Sequence, residues 1–144
     1  MLTPILNNTE FVELMKAIQQ SKRIVVCAHR GPDGDAVGSS LGWAEYLKSL
    51  GKQVTVVLPN PFPDFLRWLP NSHLIHEADL IFCLDFNGLS RLQEMEGAVA
   101  RAKADRILID HHLNPDCNVA KLVISHPQMS STSELVFRLI LQLG

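Results

Sequence analysis

Residues that bind metal ions or move protons occur in this sequence where apolar segments end. Three such segments lead directly into polar residues of this kind: His29, Asp85 and the triplet Asp110-His111-His112. Because the carboxyl ends of parallel strands meet at one edge of an open α/β sheet, residues roughly eighty positions apart are expected to converge there. The sequence therefore predicts one site that is assembled from several strand ends.

The segment after the first apolar run combines a histidine with two aspartates. His29, Asp33 and Asp35 offer an imidazole nitrogen and carboxylate oxygens, a donor set that suits Mn²⁺ or a similar ion. In an extended loop, Asp33 and Asp35 share a side and can reach different ions. Gly34 and Gly38 permit tight backbone conformations, and the amides that begin the next helix favour an anion such as phosphate. The alternative is that the aspartates cap this helix and that His29 is an exposed strand end.

The number of acids expected at this edge indicates bound cations. Without a cation, clustered carboxylates repel one another and their pKa values rise. Two metal ions about 3.5–4 Å apart, bridged by a carboxylate and a hydroxide, provide a nucleophile near neutral pH and stabilise an in-line displacement at phosphorus. Asp85 lies between the two clusters in chain order and is predicted to be the bridging carboxylate. We therefore predict hydrolysis of a phosphate ester or anhydride.

Strands that alternate with helices must position these residues. The apolar segments are rich in β-branched residues at both odd and even positions, which is typical of strands buried on both faces of a parallel sheet. The predicted strands are 23–28, 53–58, 80–84, 106–109 and 121–124, and the predicted helices begin near Thr9 and cover 36–50, 90–104 and the residues from 132. This order predicts a single α/β domain over residues 1–144, with three layers and a mostly parallel, Rossmann-like central sheet.

Two of the helices carry specific local expectations. Thr9 is predicted to cap the first helix. In the second helix an apolar stripe is predicted, followed by Gly51 as a left-handed C-terminal cap. The residues of this stripe are Leu41, Ala44, Leu47 and Leu50.

The composition is that of a globular protein without a strong charge bias. Of the 144 residues 47% are hydrophobic, and the formal net charge is −2 with a pI near 6.3. A protein that coats duplex nucleic acid is usually strongly basic, so duplex DNA is not expected as a partner. The cysteines Cys27, Cys83 and Cys117 are widely spaced, which favours free thiols in a reducing compartment, the first two in the core. No signal peptide or membrane span is recognised, and a cytoplasmic location is expected.

The motifs resemble those of the DHH phosphoesterase superfamily, whose name is the triplet Asp110-His111-His112. The first motif of that family, HxxPDxDAxGS, is matched by His29, Pro32, Asp33, Asp35, Ala36, Gly38 and Ser39. The second motif, an acid at a strand end with a downstream arginine, is matched by Asp85 and Arg91. The resemblance implies a metal-dependent phosphoesterase with the α/β fold predicted above.

By this resemblance, two Mn²⁺ ions are bound at the strand ends, with Mg²⁺ or Co²⁺ as alternatives. His29 and Asp33 would hold the first ion, and Asp35 and His111 the second. Asp85 would bridge both ions, which makes these five residues the predicted metal ligands.

The resemblance assigns the other motif residues to catalysis and substrate binding. Asp110 would orient the imidazoles, and His112 would face the scissile phosphate and stabilise charge or assist the leaving group. Arg91 is the third catalytic candidate, because it could contact a phosphate; a solvated surface arginine is the alternative. The substrate-binding candidates are Arg30, Gly38 and Ser39.

Within the superfamily, the first motif and the segment 130–134 resemble the branch that acts on short oligoribonucleotides, 3′-phosphoadenosine 5′-phosphate (pAp) and cyclic dinucleotides. The expected partners are therefore a small phosphorylated nucleotide or a short single-stranded RNA, and no membrane. An inorganic pyrophosphatase or exopolyphosphatase-like enzyme shares the metal motifs and is an alternative. A further alternative is a truncated, non-catalytic metal- or nucleotide-binding module. For 130–134 itself, a helix N-cap with Glu134 in the first turn is the favoured interpretation.

The end of the sequence departs from the family pattern. Family members continue with a strand that carries a further metal-ligating aspartate, and then with a second domain that grips the substrate; the 144 residues contain neither. The last helix is apolar on most sides, with Leu135, Phe137, Ile140 and Leu141 among its residues. We expect either the N-terminal part of a longer enzyme or a homodimer that covers this helix.

Overall fold

Five parallel strands form the centre of the protein. The computed structural model describes residues 3–29, 33–58, 72–86, 88–113, 115, 116, 118 and 120–144. The strands are β1 (Arg23–Ala28), β2 (Gln53–Val57), β3 (Leu80–Leu84), β4 (Asp105–Asp110) and β5 (Leu122–Ser125). They lie in the order β2-β1-β3-β4-β5, and every neighbouring pair is parallel. The predicted parallel α/β sheet is confirmed.

Helices cover both faces of this sheet. The described helices are α1 (Asn8–Gln19), α2 (Gly34–Ser49), α3 (Ser72–Glu77), a 3₁₀ helix (Leu89–Met95), α4 (Glu96–Arg101) and α5 (Thr132–Leu143). Buried side chains of α1, α2 and α5 pack on one face, and those of α3, the 3₁₀ helix and α4 pack on the other. The three-layer arrangement follows from strands that are apolar at both odd and even positions.

The central strand β3 is buried along its whole length. Phe82 packs edge-on against Trp43 of α2, with ring centroids 5.2 Å apart. On the opposite face, Cys83 lies in register with Cys27 of β1, and their sulfurs are 3.9 Å apart. The prediction that Cys27 and Cys83 are core residues is confirmed; Cys117 lies outside the described residues.

In the first two helices, the predicted cap at Thr9 is wrong, and the predicted apolar stripe of α2 is wrong at two of its four residues. Helix α1 is capped by Asn7, because Glu10 completes a reciprocal capping box with Asn7, whereas three residues after Thr9 stands Val12, which has no polar group. The buried face of α2 is centred on Trp43, Ala44 and Leu47, which leaves the predicted stripe residues Leu41 and Leu50 51% and 40% exposed. Gly51 does take the left-handed conformation, with φ of 84°.

The predicted helix 90–104 is replaced by the 3₁₀ helix and the short α4. Leu92 and Met95 are buried in the 3₁₀ helix, and Ala98 and Val99 are buried in α4.

Helix α5 keeps an exposed apolar side. Leu135, Val136 and Leu139 are buried against the sheet and α2, whereas Phe137 and Leu141 are each 57% exposed. Among the helices of the described residues, none has the length and apolar character that crossing a bilayer requires.

The carboxyl ends of β1 and β3 form the switch point of the sheet. From β1 the chain moves outward to β2 and then returns to the other side of β1 as β3. In open α/β sheets, ligands bind in the crevice at this position, because the connections on either side diverge from it.

Candidate metal centre

One group of ligand atoms lies beyond the end of β1. His29 follows β1, Asp33 is the N-cap of α2, and Asp85 follows β3. His29 Nε2 is 3.4 Å from Asp85 Oδ2 and 4.0 Å from Asp33 Oδ1. Asp33 Oδ1 also accepts a hydrogen bond from the Ala36 amide at 2.9 Å, so the capping interpretation of Asp33 is compatible with its place in the group.

A second group lies toward β4. His111 Nε2 is 3.5 Å from Asp35 Oδ2 and 3.7 Å from Asp85 Oδ1. His112 also has a ring nitrogen close to Asp85 and His111, within the spacing of atoms that share one ion. The structure thus brings together all five predicted metal ligands; their binding of an ion stays a prediction.

Asp85 belongs to both groups through different oxygen atoms. Its Oδ2 faces His29 and its Oδ1 faces His111. The residue has φ of 65°, a left-handed conformation that is uncommon for residues other than glycine and that concentrates at functional sites. Its side chain is only 2% exposed. Burial, together with the negative charge of Asp35, raises the pKa of Asp85 to about 6, although a hydrogen bond from Thr132 opposes this.

The N-terminus of α5 donates several hydrogen bonds to Asp35. The Ser133 amide and hydroxyl donate to Oδ1 at 2.8 and 2.7 Å, and the Thr132 amide donates to Oδ2 at 3.0 Å. Burial raises the pKa of Asp35, but the hydrogen bonds from Ser133 and Thr132 outweigh burial and leave this pKa below its usual value.

The first and third residues of the triplet are joined by a hydrogen bond. Asp110 is fully buried, and its Oδ1 lies 2.6 Å from Nδ1 of His112, whose side chain is 47% exposed. Because Nδ1 is engaged with Asp110, Nε2 is the nitrogen that His112 can present to a ligand. Among the described residues, Oδ2 of Asp110 has no hydrogen-bond partner.

The predicted substrate-binding residues receive no support from these contacts. Ser39 is buried, and its hydroxyl donates to the Ala36 carbonyl at 3.3 Å. A Cβ at Gly38 would lie 3.4 Å from Ser133 Oγ, so Gly38 permits the close approach of α5 to α2. Arg91 is exposed on the 3₁₀ helix and makes no ion pair with the described residues of the cluster. Arg30 lies outside the described residues.

Sequence reasoning missed the contacts of Thr132 and Ser133. The segment 130–134 is a helix N-terminus as favoured: Ser131 Oγ accepts from the Glu134 amide, and Glu134 accepts from Ser130. The hydrogen bonds to Asp35 and Asp85 come in addition. The signal for them was the resemblance of this segment to family members, because no local pattern relates residues nearly a hundred positions apart.

The fold and the cluster define an N-terminal domain of the DHH type. Residues 23–143 match the model of the DHH family, N-terminal domain, so the chain belongs to this family.

Two relatives resemble the chain over most of its length. The bifunctional oligoribonuclease and PAP phosphatase NrnA of Thermus thermophilus is 34% identical over 142 residues, which cover 92% of this chain and 40% of that protein. An exopolyphosphatase-related protein from Bacteroides fragilis is 44% identical with a TM-score of 0.88, covering 99% of this chain and 46% of that one. The chain therefore spans less than half the length of either relative.

A more distant structure has the same fold. RecJ of Thermus thermophilus, solved in complex with Mn²⁺, has a TM-score of 0.59 at 19% identity, covering 94% of this chain and 20% of RecJ. At this identity the likeness concerns the fold alone.

Proposed function

We propose that this chain carries the metal centre of a phosphoesterase that hydrolyses phosphoester bonds in short oligoribonucleotides or pAp. The observation that carries the proposal is the position of Asp85. One of its carboxylate oxygens faces His29 and the other faces His111, at 3.4 and 3.7 Å. A buried carboxylate shared between two groups of nitrogen and oxygen donors is suited to bridging two cations.

The residues present fit two Mn²⁺ ions. His29, Asp33 and Asp85 would hold one ion, and Asp35, Asp85 and His111 the other. Imidazole and carboxylate ligands suit Mn²⁺. When bound, such ions supply an activated water at neutral pH and neutralise charge on the phosphoryl group.

The chain itself would contribute His112 to the reaction. Asp110 holds the imidazole by Nδ1, and the half-exposed ring leaves Nε2 available to a substrate phosphate or leaving group. A buried carboxylate behind a histidine fixes its tautomer and its ring orientation. His112 is therefore the proposed proton donor or electrostatic contact on the substrate side, and Asp110 is the residue that orients it.

The choice of substrate rests on the two similar proteins. The likeness to the oligoribonuclease and PAP phosphatase supports short RNA or pAp. The exopolyphosphatase-related protein has the higher identity of the two, 44%, and supports an exopolyphosphatase-like enzyme as the second candidate. Both candidates break a phosphorus–oxygen bond and use the same metal centre.

The proposal is tested by calorimetric titration with Mn²⁺, beside turnover assays with a ribodinucleotide, pAp and a short polyphosphate. We expect two ions per chain, and release of product from the dinucleotide or pAp. Turnover of polyphosphate alone would favour the second candidate. Mn²⁺ binding without turnover of any of the three would contradict an enzyme in this chain by itself.

The bridging role of Asp85 is tested by comparison with an acid outside the cluster. We expect Asp85→Asn to weaken Mn²⁺ binding by about 100-fold or more, because both ions lose a charged ligand. The control Glu134→Gln removes a carboxylate that accepts hydrogen bonds from Ser130 at the start of α5, and its Mn²⁺ affinity should stay near that of the wild type. Equal affinities in the two variants would exclude the bridging role.

A further inference from the structure

The N-terminus of α5 donates hydrogen bonds to two of the candidate ligands, Asp35 and Asp85. Thr132 contacts Asp85 through its hydroxyl and Asp35 through its amide. Ser133 contacts Asp35 through both its amide and its hydroxyl. These residues lie 47 and 98 positions along the chain from their partners, so the contacts depend on the assembled fold.

The contacts with Asp35 are unequal at its two oxygens. Oδ1 accepts both hydrogen bonds from Ser133, whereas Oδ2 accepts the Thr132 amide alone. A carboxylate oxygen has about two lone-pair sites, so Oδ1 is filled and Oδ2 retains one. Oδ2 is also the atom that lies 3.5 Å from His111 Nε2. With Oδ1 occupied by Ser133, the free lone pair of Asp35 is on Oδ2, the oxygen that faces His111.

The contact with Asp85 fixes the plane of its carboxylate. The Thr132 hydroxyl donates to Oδ1 at 2.9 Å, and Thr132 itself is fully buried. Rotation of the carboxylate would break this bond inside a buried environment, where an unmet polar group is costly. With Oδ1 held on the side of His111, Oδ2 points at His29.

The packing of α5 keeps both donors in place. Leu135, Val136 and Leu139 anchor the helix in the core, and the absence of a side chain at Gly38 lets Ser133 approach α2. The donors are thus held by rigid elements rather than by a free loop, which is what accurate placement of a ligand requires.

We infer that Thr132 and Ser133 are positioning residues that set which oxygen of Asp85 and Asp35 is offered to each of the two proposed metal ions. This inference rests on the proposed metal centre and goes beyond it, because it assigns a role to residues that are not ligands. It also predicts different effects at the two ions. Loss of the Thr132 hydroxyl affects the carboxylate shared by both ions, and loss of the Ser133 hydroxyl affects the ion near His111.

The experiment compares Mn²⁺ titrations of the wild type with Thr132→Val, Thr132→Ser, Ser133→Ala and Ser131→Ala. Valine keeps the shape of threonine without its hydroxyl, whereas serine keeps the hydroxyl. We expect Thr132→Val to lower the affinity for both Mn²⁺ ions by about 10-fold or more, and Ser133→Ala to lower the affinity for one of them. Groups that orient metal ligands typically change metal affinity by about 10- to 100-fold. Thr132→Ser should restore most of the affinity.

Ser131→Ala is the control for a merely structural role. It removes the N-cap hydrogen bond of α5 to Glu134 without touching Asp35 or Asp85. We expect it to lower the thermal midpoint of the metal-free protein and to leave Mn²⁺ affinity within about twofold of the wild type. A loss of affinity in Ser131→Ala equal to that in Thr132→Val would overturn the inference. So would unchanged or increased affinity in Thr132→Val and Ser133→Ala.

The result separates this inference from the proposed function. If the wild type binds Mn²⁺ without turnover and the variants follow the expected order of affinity, the positioning role stands and the enzymatic proposal fails. If the wild type binds no Mn²⁺, both fail.

Discussion

Asp85 shows how a single residue can combine several unfavourable conditions. Its backbone is left-handed, its side chain is buried, and the carboxylate of Asp35 lies nearby. Each condition opposes a stable, ionised aspartate, and strain of this kind persists where the surrounding structure enforces it. A divalent cation between the two carboxylates would offset the electrostatic cost of ionising Asp85. The metal-free protein should therefore show this cost directly.

In the metal-free protein, Asp85 should make stability fall as pH rises through about 4 to 6. Its pKa is raised from 3.8 to about 6, so in this window the folded state keeps a proton that the unfolded chain releases. Relative to Asp85→Asn, the wild type should lose at most about 3 kcal/mol of unfolding free energy by neutral pH. Urea unfolding of both proteins with a chelator at several pH values measures this difference.

The control for this pH dependence has the opposite sign. Asp79 accepts hydrogen bonds from the amides of Arg23 and Lys22, and these lower its pKa. The contribution of Asp79 to stability is therefore fully present above the pKa that this residue has in the unfolded chain, and it is lost as pH falls through the lowered pKa of the folded state. The wild type should gain stability relative to Asp79→Asn as pH rises from the acid range. A pH-independent difference between wild type and Asp85→Asn would contradict the raised pKa.

At the scale of single elements, hydrogen bonds between side chain and backbone decide where helices begin. Asn7 and Glu10 exchange two such bonds at the start of α1, at 2.8 and 3.0 Å. Asp33 and Ser131 cap α2 and α5 by accepting one such bond each, from the amides of Ala36 and Glu134. Two of these three caps belong to segments that also face the candidate metal centre.

We expect Asn7→Ala to lower the unfolding free energy by about 1 kcal/mol, because it removes the cap of α1. Thr9→Ala, which changes the residue that the sequence pattern favoured as the cap, should have an effect of about 0.5 kcal/mol or less. Thermal or urea unfolding of the two variants decides between the caps. A larger loss in Thr9→Ala would show that the helix begins later than in this structure.

The strands were easier to predict than the details of the helices. Segments such as 23–28 and 80–84 are short and apolar on both sides, a pattern typical of strands that are buried on both faces of a sheet. The helix signals were weaker, because Thr9 and Asn7 are both acceptable caps and differ only through the partner at Glu10. Leu41 and Leu50 were misplaced because Trp43, the largest buried side chain of α2, determines which side faces the sheet.

At the scale of the whole molecule, two cores lie on the two faces of one sheet. Phe82 belongs to the core shared with α1, α2 and α5, whereas Cys83, the next residue, belongs to the other. Because β3 contributes side chains to both cores, substitutions in this strand are expected to lower the free energy of unfolding strongly.

Phe82→Ala should lower the unfolding free energy by about 3–5 kcal/mol, because it leaves a cavity beside Trp43. Phe137→Ala removes the same kind of side chain from an exposed position on α5. This variant should change the unfolding free energy by about 0.5 kcal/mol or less. Urea unfolding of the two variants gives the comparison. A similar cost at both positions would mean that Phe137 is covered in solution.

The convergence of the candidate ligands was predictable, and the hydrogen bonds that Thr132 and Ser133 donate to two of them were not. His29, Asp85 and His111 each follow a strand, so the topology of a parallel sheet suffices to bring them to one edge. The hydrogen bonds from Thr132 and Ser133 depend on how closely α5 packs on α2 at Gly38. Such a packing distance is a property of the folded core and leaves no periodic trace in the sequence.

The separation between Asp35 and its donor Ser133 also fixes an order in time. A ribosome releases the chain from its N-terminus, so Asp35 emerges long before Thr132 and Ser133, which donate hydrogen bonds to it. Contacts between distant positions form late, because the intervening chain must first be ordered. The complete set of candidate ligands is therefore in place only after the domain has folded. A cation at the proposed centre would meet its full coordination geometry only at that stage.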